Sequence, residues 1–193
     1  MTKLLEREPG VYWLDTECRW DVVPQILGPV WKENPLWDGV DPAQRYVLPE
    51  FTLGWQIIKW VEENLLGDEV DDAGERKPWK FTAEQARFIL WWYAVDDRGR
   101  FSFRQGVFQR LKGAGKDPLA AVLAVVELIG PCRFAGWAEW DMPERGILAG
   151  DPVAKDNPVA WIQIAAVSKD QTVNTSALFP GLLSKPGLKE RYG

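Results

Sequence analysis

The chain has 193 residues, enough for one domain with a real core or for part of a larger protein. Apolar residues at 46% and charged residues at 26% describe an ordinary globular chain, and a formal charge of −5 gives no overall basic footprint for nucleic acid, while leaving open DNA handling by a larger protein of which this is one part. Two cysteines without a spaced partner, Cys18 and Cys132, and the absence of histidine argue against a zinc centre and for a reducing compartment.

Met1–Arg7 has no apolar core, so no signal peptide is read. Residues 1–50 combine Pro24, Pro29, Pro35, Pro42 and Pro49 with Trp13, Trp20, Trp31 and Trp37. Proline at this density breaks helices and is excluded from central strands. The segment reads as an extended arm anchored by aromatics, with a disordered leader as the alternative. The chain has twelve tryptophans, which are assigned to core and surface grooves ahead of any stacking role.

Residues 51–75 read as a helix and an acidic linker. Leu53, Ile57, Trp60, Val61 and Leu65 fall on helical spacing, with Thr52 as the expected N-cap and Gly67 as the stop. Gly67–Glu75 follows as an acidic, solvated loop.

In residues 76–193, Thr82 and Gln85 stand at capping-box spacing at the head of a helix that continues through Phe88, Ile89, Trp91 and Trp92. Asp97–Gly99 then turns the chain into a β-type run over Gln105–Gln109. A glycine loop follows, and after it the almost wholly apolar helix Leu119–Ile129, stopped by Gly130–Pro131. Its apolar run is far shorter than the roughly 20 residues that cross a bilayer, and no membrane partner is expected. Arg133–Pro158 reads as a surface insertion or hairpin. Trp161–Val167 reads as a buried strand, and Ser168 caps a helix from Lys169 to Leu183. Alternation of this kind predicts an α/β fold, part of a P-loop NTPase, with a parallel sheet and crossover helices.

The loop carries the chemistry. Strand, Gly113-Ala114-Gly115-Lys116 and helix follow in the order of a phosphate-binding loop. Glycines allow backbone N–H groups to turn toward an anion, and the helix N-terminus adds positive potential. Lys116 would reach the β- and γ-phosphates. Two positions depart from the usual pattern: Arg110 stands where the first glycine belongs, and Asp117 replaces the Ser or Thr that holds magnesium. A plain glycine loop ahead of a buried helix is the competing reading. Trp91–Asp97 is an apolar run ending in acids, but it precedes the loop and continues a helical pattern, so it is not taken as a magnesium motif. No strand after Lys116 ends in the acids that a complete ATPase needs, and the sequence therefore reads as the first portion of a longer one.

Gln109–Ala121, with Lys77–Trp79 and Gln85–Leu90 upstream, resembles the large subunit of tailed-phage terminases. Trp161–Thr172 is similar to the strand and helix that follow in that family, and Leu48–Gln56 to a segment found particularly in phages of actinobacteria. The resemblance implies an ATP-driven motor that packages double-stranded DNA into procapsids, with ATP and Mg2+ as cofactors. The implied partners are DNA, the portal and the small terminase subunit. An oligomeric full-length protein in the host cytoplasm is also implied, with a C-terminal nuclease that lies beyond this chain. Gln85, Lys112, Gly113, Ala114, Gly115, Lys116 and Asp117 would contact nucleotide, with Lys116 and Arg110 catalytic and Asp117 the candidate metal ligand. Arg110 or Lys112 matches a basic residue of the family's loop that would stabilise γ-phosphate charge in cis. Gln85 would read the adenine edge through an amide that both donates and accepts; the competing role is closure of the capping box. Trp79 or Phe81 would pack either on the base or in the core. Little or no turnover is expected from this portion alone. A catalytically inactive nucleotide-binding or scaffolding module and a fragment of a helicase-like ATPase are the alternatives.

Overall fold

A computed structural model of the protein describes residues 11–13, 20–22, 48–109, 113 and 115–192. The chain is mixed α/β. Strands β1 (Val11–Trp13) and β2 (Trp20–Val22) pair antiparallel within the segment expected to be an extended arm. Most of that arm lies outside the described residues.

Helix α1 (Gly54–Asn64) buries Ile57, Ile58 and Val61 against α2 (Ala83–Trp92). The expected cap, Thr52, does something else. Its hydroxyl accepts from the Gly54 N–H at 2.9 Å and donates to the Leu90 carbonyl at 2.6 Å, tying the two helices together. Gly54 is required there, since a Cβ would stand 2.8 Å from the Leu90 Cα. α1 also ends at Asn64, ahead of the predicted Gly67 stop, because Gly67 belongs to a strand.

The acidic segment expected to be a loop is an ordered hairpin of β3 (Leu66–Val70) and β4 (Arg76–Pro78). Its turn is local chemistry: Asp71 Oδ1 accepts from the Ala73 and Glu75 N–H groups, each at 2.9 Å, and Gly74 takes φ 81°. α2 has its capping box, and Tyr93–Val95 then lies between Phe51–Leu53 and Arg100–Ser102 in short antiparallel contacts.

Helix α3 (Lys116–Ile129) starts ahead of the apolar run and buries Leu119, Val122, Val125 and Val126, each contributing about 1.5–3 kcal/mol by area. The predicted hairpin is present as β5 (Arg133–Trp137) and β6 (Pro152–Lys155), with a bulge between Phe134 and Gly136. Gln56 docks it on α1, donating to the Pro152 carbonyl at 2.7 Å and accepting from the Ala154 N–H at 2.8 Å.

Two expected strands are absent. Gln105–Gln109 lies across the aromatic face of α2 without strand pairing, and Trp161–Val167 is neither paired nor buried, with Trp161 82% and Val167 99% exposed. Strand propensity needs a neighbouring ladder to become structure, and no neighbour exists among the described residues. The sheets described are small and antiparallel, and the predicted parallel sheet is not among them. The last predicted helix divides into α4 (Lys169–Ser176) and α5 (Phe179–Leu182), followed by α6 (Leu188–Tyr192). Pro180 lacks the N–H that a continuous helix would use, and Ser168 makes no side-chain cap bond.

Candidate functional site

α3 begins on Gly115, which takes the left-handed conformation at φ 71°, ψ 24°. Gly113 has φ 85°. Both are positions where a side chain costs energy, and both lie where the sequence places the anion-binding loop. Gly115 accepts the first helical bond of α3 from the Leu119 N–H at 3.1 Å. Pro118 has no N–H, so Lys116 and Asp117 supply the amide donors in the first turn of the helix. Lys116 is half-buried and Asp117 is exposed. Arg110, Lys112 and Ala114 lie outside the described residues, so the loop is defined by its two glycines and by the helix behind it.

Gln85 is brought to this loop from thirty positions upstream. It is buried, and its Oε1 accepts from the Thr82 N–H at 3.0 Å, while its own N–H donates to the Thr82 hydroxyl at 3.3 Å. Its Nε2 lies 3.2 Å from the point that a Cβ on Gly115 would occupy. The capping role and the approach to the loop are thus both present in one side chain. Trp79 and Phe81 are buried in the core and meet edge-to-face at 6.0 Å, so neither presents a ring face for stacking.

The approach to the loop is held by aromatics. Phe88 and Trp92 stack at 6.1 Å, and Phe108 meets Phe88 edge-on at 5.2 Å. A Cβ on Gly106 would stand 2.6 Å from the Trp92 ring, so the chain crosses this face at a distance that only glycine permits.

Sequence reasoning missed the network behind α3. Glu127 sits near the negative end of the helix, where a carboxylate is unfavourable alone. It accepts from the Tyr93 hydroxyl at 2.8 Å and pairs with Arg133 at 2.8 Å. Burial, and then the Glu127 charge, pushes the Tyr93 hydroxyl well above its ordinary range. Burial and the same carboxylate push the Cys132 thiol to about 12. These partners come from separate elements, and no local motif announces them. A groove of about 600 Å3, lined in part by Trp60, Tyr192, Arg145 and Arg191, lies by Ile129 at the other end of α3 from the loop. Among the described residues, no cluster of His, Cys, Asp or Glu is arranged to hold a metal, and no helix is long and apolar enough to cross a membrane.

The chain is 42% identical over 186 residues to the Gene 13 protein of Mycobacterium phage L5, and 40% identical over 186 residues to the Gene 13 protein of Mycobacterium phage D29. Each match covers 88% of this chain but only 28% and 29% of the respective relatives, so the chain spans less than a third of their length. No protein-family profile and no solved structure matches it.

Proposed function

We propose that this chain is the nucleotide-contacting portion of a terminase large subunit, the ATP-driven motor that packages double-stranded viral DNA. The observation that carries the reading is the meeting of Gln85 with Gly115. A buried amide and a left-handed glycine at a helix N-terminus converge from distant parts of the sequence on the place where a nucleotide would sit. The mycobacteriophage relatives support a viral setting. Lys116 would contact the β- and γ-phosphates, Gly113 to Gly115 would supply backbone donors, and Asp117 would meet Mg2+. From the sequence alone, Arg110 or Lys112 would stabilise γ-phosphate charge.

The finer fold belongs to this proposal. Gln105–Gln109 and Trp161–Val167, unpaired among the described residues, would join a parallel sheet whose remaining members, with the second acidic motif, would come from the longer protein that the relatives represent. Turnover, the portal and small-subunit contacts and oligomerisation in the host cytoplasm belong to that longer protein. Asp117, exposed in the first turn of α3, favours a second reading in which the loop binds nucleotide without hydrolysis and serves as a scaffold.

Titration of ATP by calorimetry, with and without Mg2+, tests both. The motor reading expects Mg2+-dependent binding that falls at least about tenfold in Lys116→Ala, equivalent to about 1.4 kcal/mol. Binding indifferent to Mg2+ supports the scaffold, and no binding by the parent chain defeats both.

A further inference from the structure

The formal charge of −5 conceals a strong local reversal. From Arg98 to Lys116 the sequence contains six Lys and Arg and no Asp or Glu. The described part of this run that stands clear of the loop is Arg98–Arg104, read Arg-Gly-Arg-Phe-Ser-Phe-Arg, and its arginines and phenylalanines are exposed.

This ridge is built rather than loose. The Asp96 N–H donates to the Arg100 carbonyl at 2.8 Å, the Gly99 N–H donates to the Asp96 carbonyl at 2.9 Å, and the Ser102 N–H donates to the Ala94 carbonyl at 2.9 Å. Gly99 takes φ 72°, and a Cβ there would overlap the Phe134 ring, so β5 packs directly under the turn. Arg100 spends its guanidinium on Asp96, at 2.7 Å and 2.8 Å, which holds the turn and neutralises that acid. Asp97 remains beside it. Arg98 and Arg104 make no ion pair among the described residues, and both side chains face water.

We propose that the Arg98–Arg104 ridge binds the phosphodiester backbone of duplex DNA. Arg98 on the ordered turn and Arg104 beyond it, neither in an ion pair among the described residues, offer a local site for phosphates spaced along a polyanion in a chain whose charge is otherwise acidic. The phenylalanines decide between duplex and single strand. Phe101 and Phe103 are only 36% and 37% exposed; Phe101 lies edge-on to Tyr93 at 6.4 Å with the Arg133 guanidinium 5.8 Å above its ring, and Phe103 lies edge-on to Trp91 at 6.1 Å. Each ring is already engaged by an aromatic neighbour and only about a third exposed, which favours contact with the backbone, independent of sequence, over base stacking.

The ridge would offer a surface to the DNA partner of the proposed function, on residues different from those of the loop. A chain that bound no nucleotide would still bind duplex here, and the two readings fail separately. The test is fluorescence anisotropy of a short labelled duplex titrated with the 193-residue chain across a salt series. Arg98→Gln/Arg104→Gln is expected to lower the slope of log affinity against log salt by about two, with an unchanged melting temperature. Arg98→Lys/Arg104→Lys should restore the slope. Absence of duplex binding by the parent chain, an unchanged slope in the Gln variant, or tighter binding of a single strand of equal length would each overturn the proposal.

Discussion

The Nε2 of Gln85 is directed at Gly115, 3.2 Å from where a Cβ would stand, while its Oε1 is held at 3.0 Å by the Thr82 N–H. The N-terminus of α2 and the head of α3 are therefore fitted to one another through one amide. Gly115→Ala introduces two costs: a left-handed residue with a Cβ, at roughly 1–2 kcal/mol, and pressure on an amide that cannot withdraw without releasing the cap. We expect a loss of about 2 kcal/mol in urea denaturation. Gln85→Ala should remove the second cost, so that the double variant is more stable than the sum of the single losses predicts. Strict additivity would show that the two residues are not coupled.

How far this arrangement was legible depends on the range of the interaction. The α2 cap was readable because Thr82 and Gln85 satisfy each other within three residues. The apolar face of α3 and the Gly130 stop were readable for the same local reason. Thr52 stands one residue before the N-cap because its hydroxyl also holds Leu90, thirty-eight positions away, and the acidic segment, solvated as expected, is nonetheless a hairpin because Asp71 and Gly74 build a turn between two strands. The runs at 105–109 and 161–167 have strand propensity, but a strand is a property of a pair, and no described neighbour completes them. In the loop, the residues themselves point to Gly113 and Gly115, and the family resemblance adds Gln85 to the same site; the close approach of its Nε2 to Gly115 is visible only in three dimensions.

On the proposed function, Asp117 sets the dependence on metal. Its carboxylate is exposed in the first turn of α3, so its repulsion toward a bound triphosphate would be screened and amount to about 1 kcal/mol rather than the several expected at low dielectric. Asp117→Ser should tighten ATP binding about threefold to tenfold in the presence of Mg2+ and reduce the affinity lost when Mg2+ is chelated. Calorimetric titration of both chains reads this directly, and equal affinities would remove Asp117 from the site.

Alkaline pH should weaken the fold through the network behind α3. The Cys132 thiol is raised to about 12 by burial and by Glu127, against an unfolded value near 8.5. The unfolded chain therefore loses this proton first. The contribution is whole below about pH 8.5 and declines as pH rises toward 12; Tyr93, also raised by burial and Glu127, adds to the loss above about pH 10. Urea midpoints at pH 8, 9 and 10 should fall in the parent chain and fall less in Cys132→Ala. Parallel pH profiles would mean that this thiol does not titrate differently in the two states.

Gly106 offers the sharpest test of how the chain reaches the loop. Its backbone has no left-handed strain, so any cost of a side chain comes from contact alone. An added Cβ would meet the Trp92 ring at 2.6 and 2.7 Å and Phe88 at 3.2 Å. Trp92 cannot swing aside cheaply, since it lies parallel to Phe88 at an interplanar angle of 7° and Phe88 is braced in turn by Phe108. Gly106→Ala must therefore lift residues 105–109 off α2 or break the stack, at about 1–3 kcal/mol. Trp92→Ala alone costs stability by truncation, but it should make Gly106→Ala nearly neutral when the two are combined. Thermal melts of the four chains close the cycle, and a Gly106→Ala penalty that persists without the Trp92 ring would place the obstruction elsewhere.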